Sequence, residues 1–244
     1  IGGGLISVPV LFFIFETANV DKSYLMHLSV GTAFSITIFT AFVSVMTHRK
    51  HKAVDTNILK TYGLFVIFGV LLGTYMAALL NTKSLVLFFA VVVYFFGGYL
   101  LLVKQELKKN KKFKFLPKAT FGFISGFISA PMGITGAMMN VPLLRYLGYP
   151  ISKCIGSAAT IGLFISLTGS VGFLISGFYF DANLPFSIGF VNIPAFLLFV
   201  PITTFMARFG ANTVYKMNKI KAQRLFGVFL YAVGTIFIYR YFNI

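Results

Sequence analysis

Between its charges this sequence runs apolar for one bilayer thickness at a time, and that spacing restricts the fold more than any other feature. Residues 23–47, 61–82, 84–103, 119–144, 154–180 and 182–207 contain no Lys, Arg, Asp or Glu. A helix needs about 20 apolar residues to cross the hydrocarbon core, so each stretch is long enough. Two more, 1–15 and 225–239, are short. Only 11% of the chain is charged, against about 25% in an ordinary soluble domain. A soluble enzyme and a disordered tail are thereby excluded. The expected fold is all-α, a polytopic bundle of membrane-spanning helices.

The chemistry-bearing residues are few. Cys154 is the one cysteine, which excludes a disulfide framework and a thiolate metal cluster. The three histidines form no metal-binding pair, and no Walker A, GxSxG or GxGxxG motif occurs. The residues therefore call for no cofactor and no metal. The acids Glu16, Asp21, Asp55, Glu106 and Asp181 fall in loops or at span ends, which argues against a buried carboxylate relay. His27 is the only near-membrane group that titrates near neutrality and is a candidate for proton coupling. An interfacial, hydrogen-bonded histidine is the plainer reading. An intramembrane enzyme would need a nucleophile and a base, and Cys154 and His27 form no evident pair.

Two segments repeat. Gly3-Gly4-Leu5-Ile6-Ser7-Val8-Pro9-Val10-Leu11 matches Gly136-Ala137-Met138-Met139-Asn140-Val141-Pro142-Leu143-Leu144. Val30-Gly31-Thr32-Ala33-Phe34-Ser35 matches Ile155-Gly156-Ser157-Ala158-Ala159-Thr160 in the same order. The chain is expected to hold a first repeat at 1–103, a basic linker at 104–118 and a second repeat at 119–244. On this reading about 15 residues preceding Ile1 would complete the first copy, since nothing there matches Lys118–Met132.

The net charge of +16 would suggest nucleic acid on a soluble protein. In a membrane protein it reports orientation, because cytoplasmic loops collect Lys and Arg. If 119–144 crossed once, the cations would divide almost evenly between the two sides. If 119–144 is a re-entrant hairpin, segment 48–60 carries four, 104–118 seven, 145–153 two and 208–224 five, all on one side. Only Lys22, Lys83 and Arg240 are left outside. The hairpin is therefore expected, as two half-helices of roughly 12 residues each, reaching about 18 Å. Pro131, Gly133 and Gly136 supply its turn. Each copy then makes three full crossings, so the copies are inverted. Matched broken segments in two halves point to a transporter site near the bilayer midplane.

These residues resemble the sulfite exporter TauE/SafE family, also known as the TSUP (4-toluene sulfonate uptake) permeases. The resemblance rests on Gly2-Gly3-Gly4-Leu5-Ile6-Ser7-Val8-Pro9-Val10-Leu11, Gly31-Thr32-Ala33, Gly136 with Val141-Pro142-Leu143-Leu144, and Gly156-Ser157-Ala158. It implies a multi-pass permease of a bacterial or archaeal inner membrane, carrying sulfite, sulfoacetate or other organosulfonates. Thiosulfate, sulfide, a metal ion or a non-transporting scaffold are the alternatives.

A small oxyanion needs hydrogen-bond donors and positive potential. A half-helix beginning inside the membrane offers both. The substrate-binding residues expected from the first copy are Gly2, Gly3, Gly4, Ser7, Thr32 and Ser35. Those from the second are Gly133, Thr135, Gly136, Asn140, Ser157 and Thr160. Pro9, Pro131 and Pro142 are expected to break or kink the helices. Asn140→Leu or Gly3→Val should each abolish flux. The same small residues also suit close helix packing, the competing reading. The expected partners are a small anion and, at the seven-lysine loop, anionic lipid. Nucleic acid is not expected, and a homo-oligomer is left open.

Overall fold

The computed structural model describes residues 3–102, 115–213 and 219–243. Among them, six helices are long and apolar enough to cross a membrane. These are α2 (Leu25–Lys50), the continuous span Thr56–Leu79, α5 (Thr82–Leu102), α8 (Ile151–Tyr179), α9 (Ile193–Thr213) and α10 (Lys219–Asn243). The Thr56–Leu79 span consists of α3 (Thr56–Ile58), a π-helical turn (Leu59–Gly63) and α4 (Leu64–Leu79). Three shorter helices complete the bundle: α1 (Gly4–Thr17), α6 (Phe115–Met132) and α7 (Ala137–Tyr146). The protein is thus a multi-pass helical membrane protein.

Segment 119–144 reverses direction. A continuous helix would hold residues 15 apart about 22 Å from each other, yet the Ser125 hydroxyl donates to Asn140 Oδ1 across that separation. Further along, the Phe121 and Tyr146 rings meet at 6.2 Å, and Lys118 Nζ donates to Tyr149 Oη at 3.0 Å. Both ends of the hairpin therefore lie on one side. Its arms have 18 and 10 residues, where the sequence suggested equal arms. The turn lies at Gly133 and Gly136, each at φ +65°, a left-handed conformation that side chains disfavour. Pro131 stands in the last turn of α6. Pro9 and Pro142 do not break their helices; each occupies the sixth residue of α1 or α7. Lacking an N–H, each frees the carbonyl four residues back, Leu5 or Met138, from its usual helical donor.

Contacts near the helix termini sort the two ends of the bundle. Lys153 Nζ donates to Lys52 O at 3.0 Å, and Gln223 Nε2 to Leu100 O at 2.7 Å, at the end where the hairpin opens. At the other end Thr82 Oγ1 donates to Ser23 O at 2.7 Å and Arg240 pairs with Glu16 at 3.1 Å. Lys22, Lys83 and Arg240 thus share the second end, as the charge count requires. Of the seven-lysine segment only Lys118 lies among residues whose side chains are described. Matching elements run in opposite senses: α2 toward the basic end, α8 away from it, with α7 and α1 likewise opposed.

The charge-delimited spans miss some ends. The stretch 182–207 is helical only from Ile193, because 187–192 form a two-stranded ladder, Ser187–Ile188 against Val191–Asn192. Asn192 Oδ1 then caps α9 by accepting the Ala195 N–H at 3.0 Å. Asp55 caps α3 in the same manner, accepting from Asn57 N at 3.0 Å. The short stretch 225–239 belongs to a full-length span, since α10 continues past Arg224 and Arg240.

Interhelix packing uses small residues. Gly69 and Gly73 on α4 lie against Phe123 and Phe127 of α6, while Gly122 and Gly126 of α6 lie against Tyr62 and Val66. This small-xxx-small spacing on both partners lets the backbones touch, as membrane helices require when no hydrophobic gradient drives them together.

Candidate functional site

The starts of α1 and α7 meet inside the bundle. A Cβ on Gly4 would overlap the Gly133 carbonyl oxygen, and one on Gly133 would come within 2.6 Å of Val8 Cγ2. Neither helix start has a side-chain cap at its N-cap residue, Gly3 or Gly136. The first turn of a helix leaves backbone N–H groups without intrahelical partners and carries a positive partial charge. Two such ends therefore converge, one reached from each side of the membrane.

The surroundings of the tips are closely packed. A Cβ on Gly3 would meet only Thr37 Cγ2, at 4.0 Å, among the described residues, so the tight glycine of the first tip is Gly4 rather than Gly3. Gly2 lies outside the described residues. Ser7 and Thr135 are buried at the tips, and a Cβ on Gly162 of α8 would reach Thr135 at 3.0 Å. Asn140 is fully buried one turn into α7. Its Oδ1 accepts from Tyr62 Oη at 2.7 Å and from Ser125 Oγ. Its Nδ2 is buried without a hydrogen-bond partner.

The hydroxyls on the neighbouring helices have other partners. Thr32 Oγ1 accepts the Asn192 N–H at 2.9 Å, and Ser157 Oγ accepts the Asp55 N–H at 3.0 Å. Each hydroxyl thus satisfies a backbone donor of a helix-capping residue in the opposite half. Ser35 Oγ bonds Ser170 Oγ at 2.7 Å and donates to Gly31 O at 3.0 Å; Thr160 donates to Gly156 O at 3.1 Å. Thr32, Ser35 and Ser157 thus tie separate elements together, while the Thr160 bond stays within α8. The residue from α2 that stands at the tip of α1 is Thr37. His27 is buried, with Nε2 at 3.2 Å from Ala77 O and its ring against Tyr24 and Phe190, none of which belongs to a hairpin tip.

Two cavities, of about 340 and 810 Å³, lie at the end opposite the basic loops, and none of the expected site residues lines either. The larger separates the end of α1 from the start of α9. Among the described residues no group of three or more His, Cys, Asp or Glu could hold a metal ion.

Sequence inspection missed Tyr62 and Ser125. Tyr62 is brought to Asn140 by the π-helical turn 59–63, a local widening frequent at functional sites. The signal available in the sequence was a Tyr flanked by small residues at the start of a span.

A re-entrant half-helix meeting a second half-helix start from the other side, within six apolar spans, is the architecture of a membrane transporter. The chain matches the model of the family described as Sulfite exporter TauE/SafE over residues 1–237 and belongs to that family. It is similar to a probable membrane transporter protein of Haemophilus influenzae, 27% identical over 96% of this chain and 89% of the relative. A probable membrane transporter protein of Methanocaldococcus jannaschii is 28% identical over 83% of this chain and 75% of its own. The probable membrane transporter protein YunE of Bacillus subtilis is 26% identical over 98% and 91%. No solved structure matches the chain significantly.

Proposed function

We propose that this transporter carries small sulfur-containing oxyanions, sulfite or an organosulfonate such as sulfoacetate, held between the starts of α1 and α7. The observation that carries this reading is the convergence of two uncapped helix starts at Gly4 and Gly133. Free N–H groups and two positive dipole ends attract an anion without a fixed cation that would trap it. The family's description names sulfite, which supports the choice of anion. The substrate passes unchanged, with no chemical step.

In this reading the chain is two inverted units, 1–103 and 119–244, joined by the basic segment 104–118. Alternating access arises when one unit rocks against the other about the meeting tips. The basic end is cytoplasmic, and its lysines rest on anionic lipid, each contributing about 1 kcal/mol of attraction. They also raise the anion concentration at the inner mouth within about 8 Å at physiological salt.

The test is flux into proteoliposomes from a panel of sulfite, sulfate, thiosulfate, sulfoacetate and taurine. Saturable movement of sulfite or sulfoacetate is expected. Movement of none of the five would overturn the proposal.

A further inference from the structure

Resting on that oxyanion reading, we infer that the Asn140 amide is the donor that selects the substrate, and that Tyr62 and Ser125 are positioning residues that fix which way it faces. A primary amide has one acceptor end and one donor end, and rotation about its last bond exchanges them. Here Oδ1 takes hydrogen bonds from two hydroxyls, Tyr62 Oη at 2.7 Å and Ser125 Oγ. Rotation would turn the NH₂ group toward the two hydroxyls, whose oxygens can accept from it, but would take from both hydroxyl protons the acceptor they have here. In this arrangement the donor end therefore faces away from them.

That donor end has no partner. Nδ2 is buried and unbonded, and it lies so near the start of α7 that a Cβ on Gly136 would come within 2.8 Å of it. A buried donor left unmade is destabilising, and its N–H groups stand beside the uncapped N–H groups of the helix start. Both sets donate, and neither accepts. The ligand they suit is all acceptor, a deprotonated oxyanion such as a sulfonate or the sulfite dianion. A ligand presenting its own N–H or O–H donor would oppose a donor to a donor. The side chains close the tips around Nδ2 in this conformation, so the ligand reaches it when the hairpin moves away from α1.

Tyr62 comes from the turn before α4 and Ser125 from α6. Their bonds to one amide tie selectivity to the packing of those helices.

The experiment is thermal unfolding of the purified full chain in detergent with methanesulfonate, and with methanesulfonamide, which replaces one oxygen by an NH₂ donor and is neutral. The wild-type protein is expected to be stabilised by methanesulfonate and not by the sulfonamide. Asn140→Asp keeps the shape and the two hydroxyl bonds and, once ionised, removes the donor; at pH 8 it should abolish the shift. Tyr62→Phe removes a single oxygen and frees the amide to turn. It should weaken methanesulfonate binding about tenfold and narrow its preference over the sulfonamide, with little change in unfolding temperature without ligand. Should Asn140→Asp not fold, the narrowed preference in Tyr62→Phe, and in Ser125→Ala, decides. A full methanesulfonate shift in Asn140→Asp, or an unchanged preference in both hydroxyl variants, overturns the assignment while leaving oxyanion transport standing. No shift of the wild-type protein by methanesulfonate, sulfite or sulfoacetate overturns the oxyanion reading and the assignment together.

Discussion

At the crossings between the two halves, Thr32 accepts the Asn192 N–H at 2.9 Å and Ser157 accepts the Asp55 N–H at 3.0 Å. Matched hydroxyls meet matched helix caps, and beside them Gly31 lies on Phe190 O and Gly156 on Ala53 O. At the hairpin tips the correspondence stops. The position that is Ser7 in α1 is Asn140 in α7, wired to Tyr62 and Ser125. The difference separates two duties. The crossings are scaffold, where equal geometry keeps two inverted halves in register. The tips are where the proposed substrate site lies, and there the two copies carry different side chains.

Six substitutions test that contrast. The largest effect is expected from Gly4→Val, whose side chain would drive into the Gly133 carbonyl. Flux per molecule should vanish, whereas Gly3→Ala, which meets only Thr37 Cγ2 among the described residues, should lose several-fold less. Next come Thr32→Val and Ser157→Ala. Each strands a backbone N–H and should lower stability by about 1–3 kcal/mol, read as a fall in unfolding temperature. If the crossings are equivalent, the two losses should agree within about 0.5 kcal/mol. A large inequality would break the symmetry of the scaffold. Ser7→Ala should raise the KM for the transported anion by about two- to tenfold, the worth of one neutral hydrogen bond. A larger loss would move the selective donor to the first tip. Smallest is Glu16→Gln at the ion pair with Arg240, whose side chains are 23% and 34% exposed. Exposed pairs contribute about 0–1 kcal/mol, and the change should shrink further in high salt.

The spans and the hairpin were legible because each has a signature in one dimension. Charges cannot sit in lipid, so Lys, Arg, Asp and Glu mark most helix ends. The charge count across 48–60, 145–153 and 208–224 required 119–144 to return to its starting side. The start of α9 was hidden because the ladder 187–192 is itself apolar, with Ile188, Phe190 and Val191, and so reads as membrane helix. Lys60 and Arg208 misled for the converse reason, since helices run through them into the interface. The candidate site was half legible. Repetition revealed Asn140 and the glycines, but Tyr62 stands 78 residues from Asn140, and nothing local announces that contact. Thr32 and Ser157 were legible as important polar positions. Their bonds to backbone N–H groups of distant loops could only be found in three dimensions.

The proposed site places the anion in the space where the two tips meet. Thr135→Cys in a Cys154→Ser background places a lone thiol at the second tip. The most direct measurement is its rate of reaction with a membrane-permeant maleimide, with and without saturating methanesulfonate, in vesicles shown to transport the anion. Bound anion should slow the reaction at least several-fold. An unchanged rate in vesicles that still transport would contradict a site between the tips.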